Sequence, residues 1–189
     1  MDIFEKLSKN IKIAQSLAGI ELPNGVQVSG IHYHGTSIAD DPIDELTGEY
    51  SEWDTIWVTS DENVAEKFSD HGNGVQAVFE VQVNLLNALP IDHQVYTEIK
   101  YESDEFEDIR MAIPAIEMEG YDGWITLGSI GSIMYEDIAI FGSRIPVSKM
   151  KIKTPEGWTE YFPLDEFESR TGKKMKSDEL DRFVRVMHP

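Results

Sequence analysis

Closely spaced β-prone segments in the second half of the chain constrain its fold more than any other feature. Apolar and β-branched residues concentrate at 124–127, 134–141 and 147–152, with a Gly- and Ser-rich turn at 128–132 between the first two segments. Connections this short cannot contain the helix that joins neighbouring parallel strands. We therefore predict antiparallel strands in this half of the chain.

An alternating segment at 75–83 predicts a further strand. Every second residue from position 75 to position 83 is apolar, whereas Val78 alone is apolar among the residues between them. A period of two residues is typical of a strand with one buried face. β-prone runs at 26–34 and 55–59 predict two more strands, and the whole pattern predicts an α+β fold.

Three segments have the periodicity of helices. Residues 2–18 are amphipathic, residues 61–69 follow Ser60, a typical N-cap residue, and residues 103–119 contain Pro114, which must break or restart a helix. We expect the N-terminal helix to pack against the strands.

The residues after position 154 predict a C-terminal extension. A turn and a short strand occupy 155–162, and two helical stretches begin near Leu164 and Ser177. We expect one main domain at 1–153, with the extension at 154–189 packed on it.

The composition is that of a globular protein. The chain has 189 residues, of which 41% are apolar and 27% charged, so disorder is excluded. It contains no Cys, which excludes a disulfide scaffold, a thiol nucleophile and cysteine-bound zinc. Since no apolar run is long enough for a membrane span, and the first residues lack the pattern of a signal peptide, we expect a cytoplasmic protein.

The charge is strongly negative and unevenly distributed. The net charge is −19, and the first 143 residues hold 6 bases against 27 acids. Such a surface repels bulk nucleic acid, which is bound through Lys and Arg, and suits a protein partner with a basic surface. Residues 40–54 contain seven acids and no base; this stretch is either a solvated loop or a docking segment for a basic target.

Three places combine residue types that can carry chemistry. They are Tyr33-His34-Gly35-Thr36 at a strand end, the strand–helix junction from Trp57 to Phe68, and Glu136-Asp137 at the start of an apolar strand. Each also has an ordinary structural explanation: a strand-to-turn transition, core aromatic residues, and polar residues of a strand.

In this order the three places resemble the ADP-ribosyltransferase superfamily, in its His-Tyr-Glu branch, which includes poly(ADP-ribose) polymerases and many phage and bacterial toxins. His34-Gly35-Thr36 is similar to the His-Gly-Ser/Thr that ends the family's first strand. Trp57-Val58-Thr59 stands where the family has Tyr-Phe followed by a small residue. The resemblance extends over about residues 26–153 and implies split antiparallel β-sheets, with an N-terminal helix and a C-terminal extension.

The helix and the last strand continue the resemblance. Ala65 and Phe68 take the places of a small residue and a second stacking aromatic, and Glu136 leads into an apolar, β-branched strand, as the family's catalytic Glu does. One departure is Trp57 in place of Tyr, which keeps a stacking face and loses a hydroxyl. A second is that Asp137 becomes the acid if the strand is shifted by one residue, which would put it on the opposite face.

The resemblance implies an enzyme that uses NAD as substrate, transfers ADP-ribose to a macromolecule, most simply a protein, and releases nicotinamide. It implies Glu136 and His34 as catalytic residues, with Glu136 beside an oxocarbenium-like state and His34 donating to a ribose hydroxyl. The residues implied to bind NAD are His34, Gly35, Thr36, Trp57, Ala65 and Phe68. Stacking between Trp57 and Phe68 would hold the cationic pyridinium.

The acceptor is not specified by the resemblance. Met134 stands two residues before Glu136, where arginine-directed relatives have Glu, so an arginine acceptor is not favoured. The family's phage and bacterial members suggest an effector in the cytoplasm of a bacterial host. Two alternatives are an RNA 2′-phosphotransferase, disfavoured by the scarcity of bases, and a non-catalytic acidic binding protein on the same fold.

No metal site is expected. We expect His32 and His34 to point to opposite faces of their strand, and no third ligand lies near them in the sequence.

Overall fold

The structure is a computed structural model that describes residue 17 and residues 20–38, 55–70, 74–102, 109–141, 145–174 and 183–185. Its strands are β1 (Val26–Ile38), β2 (Thr55–Thr59), β3 (Val75–Pro90), β4 (Gly123–Ile130), β5 (Ile133–Phe141), β6 (Ile145–Thr154), β7 (Gly157–Trp158) and β8 (Phe183–Arg185). Its α-helices are α1 (Glu62–Phe68), α2 (His93–Thr97), α3 (Ile113–Met118) and α4 (Phe167–Thr171). Shorter helical turns are a π-helix at Glu98–Glu102 and 3₁₀-helices at Ile109–Ala112 and Leu164–Glu166.

The strands form one mixed sheet in the order β1-β2-β5-β4-β3-β6-β7, with β8 beside β6. Strand β1 also pairs with β3, so β1, β2, β5, β4 and β3 make a closed circuit of paired strands. The β3–β4 and β6–β8 pairs are parallel, and the other pairs are antiparallel. The fold is therefore α+β, as predicted, with a mixed sheet.

The prediction of antiparallel strands is confirmed for β4 and β5, which form a hairpin. The split antiparallel sheets that the resemblance implies are not what the structure has, because two strand pairs of its one sheet are parallel. Strand β6 does not lie beside β5 but pairs with β3. Strand β4 runs parallel to the end of β3, because α2 and α3 lie in the long connection between these strands and allow a crossover.

The predicted helix at 61–69 is confirmed as α1, although its cap is different. The Asp61 carboxylate accepts hydrogen bonds from the backbone N–H groups of Asn63 (2.8 Å) and Val64 (3.2 Å), so Asp61 is the N-cap instead of Ser60. The restart at Pro114 is also confirmed, since this proline lies in the first turn of α3.

Some predictions lie outside the described residues. These are the N-terminal helix apart from Leu17, the acidic stretch at 40–54, the part of the third helix at 103–108, and the helical stretch near Ser177 up to position 182. No helix within the described residues is long and apolar enough to cross a bilayer.

Two apolar clusters lie on the two faces of the strand circuit. The first contains Val58, Phe79 and Ile138, and we call the strand faces that carry these residues the inner face. The second contains Trp124 and Ala139, and we call the opposite face of the same strands the outer face. Because side chains alternate along a strand, the face of every residue of β2 and β5 follows from these assignments.

Part of the C-terminal segment belongs to the first cluster. Phe162 and Phe167 are both 1% exposed, and Phe162 exchanges backbone hydrogen bonds of 2.8 and 2.9 Å with Met150 on β6. The predicted strand at 158–162 is reduced to β7 and this isolated bridge.

A buried lysine joins this segment to α1. The Lys151 ammonium forms ion pairs with Glu62 and Glu66 of α1 and lies 5.0 Å from the centre of the Trp158 ring and 5.5 Å from that of Tyr161. Burial lowers the pKa of Lys151, but hydrogen bonds to the two glutamates outweigh it and raise the pKa above its usual value. Lys151 therefore fixes α1 over the outer face.

Candidate active site

His34 lies on β1 with its ring held by a backbone contact. Its Nδ1 donates to the carbonyl oxygen of Trp57 on β2 at 2.6 Å, and its ring centre is 6.3 Å from that of Phe79. Because Nδ1 carries the proton, Nε2 of the neutral ring is an acceptor.

Glu136 lies across β2 from His32. Tyr33 is the Cα partner of Thr59, and Thr59 is the partner of Asp137. One residue further along these antiparallel ladders, Ser60 stands between His32 and Glu136. We call these three residues the His32 row.

The backbone of the His32 row is fixed by two hydrogen bonds. The Glu136 N–H donates to the Ser60 hydroxyl at 2.9 Å, and the Ser60 N–H donates to the Glu136 carbonyl at 3.0 Å. The His32 Nε2 lies 3.8 Å from the Glu136 Oε2. The side chain of His32 is 6% exposed and that of Glu136 47%, so a buried imidazole faces a half-exposed carboxylate.

His32 and His34 share one face of β1, and the expectation of opposite faces is wrong. Residues two apart on a strand point to the same side, and their Cα partners on β3 are the buried Val81 and Phe79. Within the described residues, no three His, Asp or Glu side chains are grouped as metal ligands.

Thr36 also lies on this face of β1. It follows His34 by two residues, and its Cα partner is the fully buried Ala77. Thr36 can therefore support a ligand beside His34.

Asp137 faces away from Glu136, toward the outer face. It shares that face with Thr59, its Cα partner on β2. Burial raises the pKa of Asp137 from 3.8 to about 6. The pKa of the neighbouring Tyr135 is also raised, first by burial and then by the charge of Asp137. Asp137 is therefore the more desolvated of the two acids.

The Trp57 ring also lies on the outer face. It packs edge-on against Trp124, with ring centres 5.3 Å apart and planes at 61°, and it contacts the second apolar cluster. Its Cα partner is Ala139, of the same cluster. The structure thus places the Trp57 ring and the Glu136 carboxylate on opposite faces of neighbouring strands.

Gly35 and Ala65 meet where α1 packs on β1. A Cβ added to Gly35 would lie 1.8 Å from the Ala65 carbonyl oxygen, so this position admits no side chain. Ala65 is fully buried. Helix packing therefore accounts for the small residue at both positions, whether or not a ligand also approaches.

Phe68 ends α1 and is 37% exposed. Its ring lies edge-on to that of Tyr135, with centres 6.2 Å apart and planes at 75°. Tyr135 shares the outer face with Asp137 by strand alternation. The predicted residues therefore divide into two groups: His34 and Thr36 lie with Glu136 on the inner face, and Trp57, Phe68, Gly35 and Ala65 lie on the outer side.

Two exposed apolar side chains flank Glu136 on its own face. Leu127 is its Cα partner on β4, and Met134 precedes it by two residues on β5. They are 71% and 66% exposed. The rim of the candidate site at the β4–β5 hairpin is therefore apolar.

A cavity of about 600 Å³ opens where the end of β3 meets β4. Its lining includes His93 and Tyr96 of α2 and Leu127 of β4. None of the predicted site residues lines it, but Leu127 connects it to the His32 row. Sequence reasoning missed both this cavity and His32.

Comparison with known proteins assigns no activity to this chain. No protein-family model matches the sequence, and no curated protein matches it. One solved structure that resembles it is the MbcT–MbcA toxin–antitoxin complex of M. tuberculosis, with 14% identity, 76% of this chain and 93% of that chain covered, and a TM-score of 0.45. Such a match is at most a distant likeness of fold.

Proposed function

We propose that this chain is an NAD-dependent ADP-ribosyltransferase that modifies a protein, with Glu136 as its essential carboxylate. The observation that supports this most directly is the place of Glu136. Its carboxylate is half exposed, faces His32 at 3.8 Å and shares the inner face with His34. The order of the segments that resemble the family is an independent support.

The proposed chemistry needs a fixed negative charge next to the ribose. The bond between the ribose C1′ and the nicotinamide nitrogen breaks, and its electron pair leaves with neutral nicotinamide. The ribose passes through an oxocarbenium-like state, which a carboxylate stabilises. A nucleophile of the acceptor then forms the new bond to C1′ and loses its proton. Glu136 is the acid whose exposure permits contact with a substrate.

The cavity beside Leu127 supports a small-molecule substrate at this end of the sheet. Its volume of about 600 Å³ is within the range of small-molecule sites. Because Trp57 packs on the outer face, the proposal does not rest on its stacking with the pyridinium.

The rim of the site favours an acceptor other than arginine. A guanidinium acceptor needs a nearby base to remove its proton, but Leu127 and Met134 flank Glu136 with apolar surface. The scarcity of Lys and Arg in the first 143 residues disfavours a nucleic-acid acceptor. We propose a protein acceptor with a basic surface near the modified residue.

The test uses the two neighbouring acids as a matched pair. Nicotinamide release from NAD is measured by chromatography, and transfer of biotinylated ADP-ribose in a bacterial lysate is measured by blotting and mass spectrometry. Glu136→Gln should lower both by about 100-fold or more with little effect on folding, as removal of a preorganised charge does. Asp137→Asn, which removes the same charge on the opposite face, should keep most activity.

The outcomes separate the alternatives. Activity that survives Glu136→Gln and disappears in Asp137→Asn would move the site to the outer face, where Trp57 and Phe68 lie. Wild-type protein that releases no nicotinamide and shows no thermal shift with NAD at millimolar concentration would refute the cofactor assignment.

A second candidate is a non-catalytic acidic binding protein on this fold. It is favoured by one observation: Trp57, Gly35 and Ala65 are all accounted for by packing on the outer side. On this alternative, neither acid substitution changes the biological effect of the protein.

A further inference from the structure

His32 is a buried histidine whose environment the fold alone does not explain. Its Cα partner on β3 is Val81, which is fully buried in the first apolar cluster. An apolar side chain would suit this position better, because a buried polar ring costs stability unless its nitrogens are paired. The two nitrogens face Gly30 O at 3.4 Å and Glu136 Oε2 at 3.8 Å.

We infer that His32 is the positioning residue for Glu136, which it directs toward the inner face of the site. This inference rests on the proposed function, because it gives a role to the residue beside the proposed catalytic carboxylate. His32 acts through Glu136 and does not itself react.

The other contacts of Glu136 leave its side chain without a fixed orientation. The two hydrogen bonds to Ser60 fix the Glu136 backbone. They do not fix the side chain, which is 47% exposed and has three rotatable bonds that solvent leaves free. The His32 Nε2 is the ring nitrogen that the structure places beside the carboxylate, 3.8 Å from Glu136 Oε2. Its ring is itself held by burial, so it can orient a more mobile partner.

Two variants separate positioning from packing. His32→Leu replaces the ring with an apolar side chain of similar size, which suits the buried position, and removes the nitrogen that faces Glu136. His32→Gln keeps an N–H donor at a similar distance from the backbone. Gln82→Leu supplies a control, since it makes a polar-to-leucine change at an exposed residue of β3 that belongs neither to the His32 row nor to the cavity lining.

The kinetic test divides kcat from KM in NAD cleavage. His32→Leu should lower kcat by about 10- to 100-fold with little change in KM for NAD, the effect expected when an orienting group is lost. His32→Gln should recover most of kcat, and Gln82→Leu should behave as wild type. A kcat in His32→Leu equal to that of wild type would overturn the inference.

A second readout does not depend on activity. Two-bond ¹H–¹⁵N correlation spectra report which ring nitrogen of a histidine carries a proton. The His32 signals should change in Glu136→Gln, and the His93 signals should not. If the His32 signals are the same in both proteins, the contact is absent and the inference fails. If they change but no NAD is cleaved, the contact is established and only the proposed function fails.

Discussion

Asp137 should make the stability of the protein depend on pH in a direction opposite to that of an ordinary ion-paired acid. Burial raises its pKa from 3.8 to about 6, so between these pH values the folded chain holds a proton that the unfolded chain has lost. Stability must therefore fall as the pH rises through this window, and the loss is complete above pH 6. Asn at this position cannot ionise and is not subject to the loss.

The size of the effect follows from the same two values. At about 1.4 kcal/mol for each pH unit between them, the upper limit is about 3 kcal/mol. Partial exposure of Asp137 to solvent screens its charge and reduces this to about 1–2 kcal/mol. Asp137→Asn should therefore be more stable than wild type at pH 8, and the difference should shrink by about 1 kcal/mol or more at pH 4.5.

Urea unfolding at several pH values, extrapolated linearly to water, measures this difference. Subtracting wild type from the variant at each pH removes the contribution of the other acids. Glu156→Gln, a change at an exposed carboxylate in the turn between β6 and β7, is the control and should show a difference of less than about 0.5 kcal/mol. A difference for Asp137→Asn that is constant with pH, or that grows as the pH falls, would refute the reasoning.

Substitutions at Gly35, Trp57 and Lys151, with their controls, test the packing around the site; stability is measured by urea unfolding and NAD affinity by titration. Gly35→Ala should cost about 2–3 kcal/mol of stability, because its Cβ would meet the Ala65 carbonyl oxygen. Gly131→Ala, which adds a Cβ in open space at φ 62°, should cost about 1 kcal/mol. Equal costs for the two variants would contradict the contact between Gly35 and α1. Trp57→Ala should cost about 3 kcal/mol of stability and Trp57→Phe about 1 kcal/mol. NAD affinity should be preserved in Trp57→Phe. Loss of NAD binding without loss of stability would instead support stacking of Trp57 on the pyridinium of NAD. Lys151→Met should cost about 1–2 kcal/mol, because it leaves the half-buried Glu62 and Glu66 carboxylates, which are 36% and 25% exposed, without their shared cation. Adding Glu62→Gln and Glu66→Gln to this variant should restore part of the loss, and no recovery would argue against the ion pairs.

The elements that were predicted correctly have a strong local signal. The alternation at 75–83 marks β3, and the Gly- and Ser-rich turn marks the β4–β5 hairpin. The arrangement of the sheet was not predictable in the same way. Pairing of β6 with β3 and the parallel β3–β4 contact join segments that are far apart in the sequence, and local patterns carry no information about such pairs. Helix α2 has five residues, which is too few to show a helical period of hydrophobic residues in the sequence. Its N-cap residue Asp92 is the feature that could have indicated its start.

In the candidate site, too, local sequence patterns predicted one part of the arrangement and long-range strand pairing decided the rest. Alternation alone predicts that Glu136 and Asp137 face opposite sides, but it cannot say which side faces a cleft. That depends on the pairing of β5 with β2 and of β2 with β1. The same two ladders bring His32 to Glu136, although 104 positions of sequence separate them, so His32 could not be recognised from its neighbours in the chain.

Adjacent positions on one strand thus give the two acids different physical conditions. Asp137 is desolvated, which makes its charge unfavourable in the folded state at neutral pH. Glu136 keeps contact with solvent and has a histidine beside it, so its charge is available for a ligand. Because Glu136→Gln and Asp137→Asn change the net charge equally, on the same strand, effects of overall charge are matched in the two variants. Once their stabilities have been measured, a difference in NAD cleavage between the two variants therefore reports which face of the sheet the chemistry uses. The exposed carboxylate of Glu136 leads us to expect the inner face.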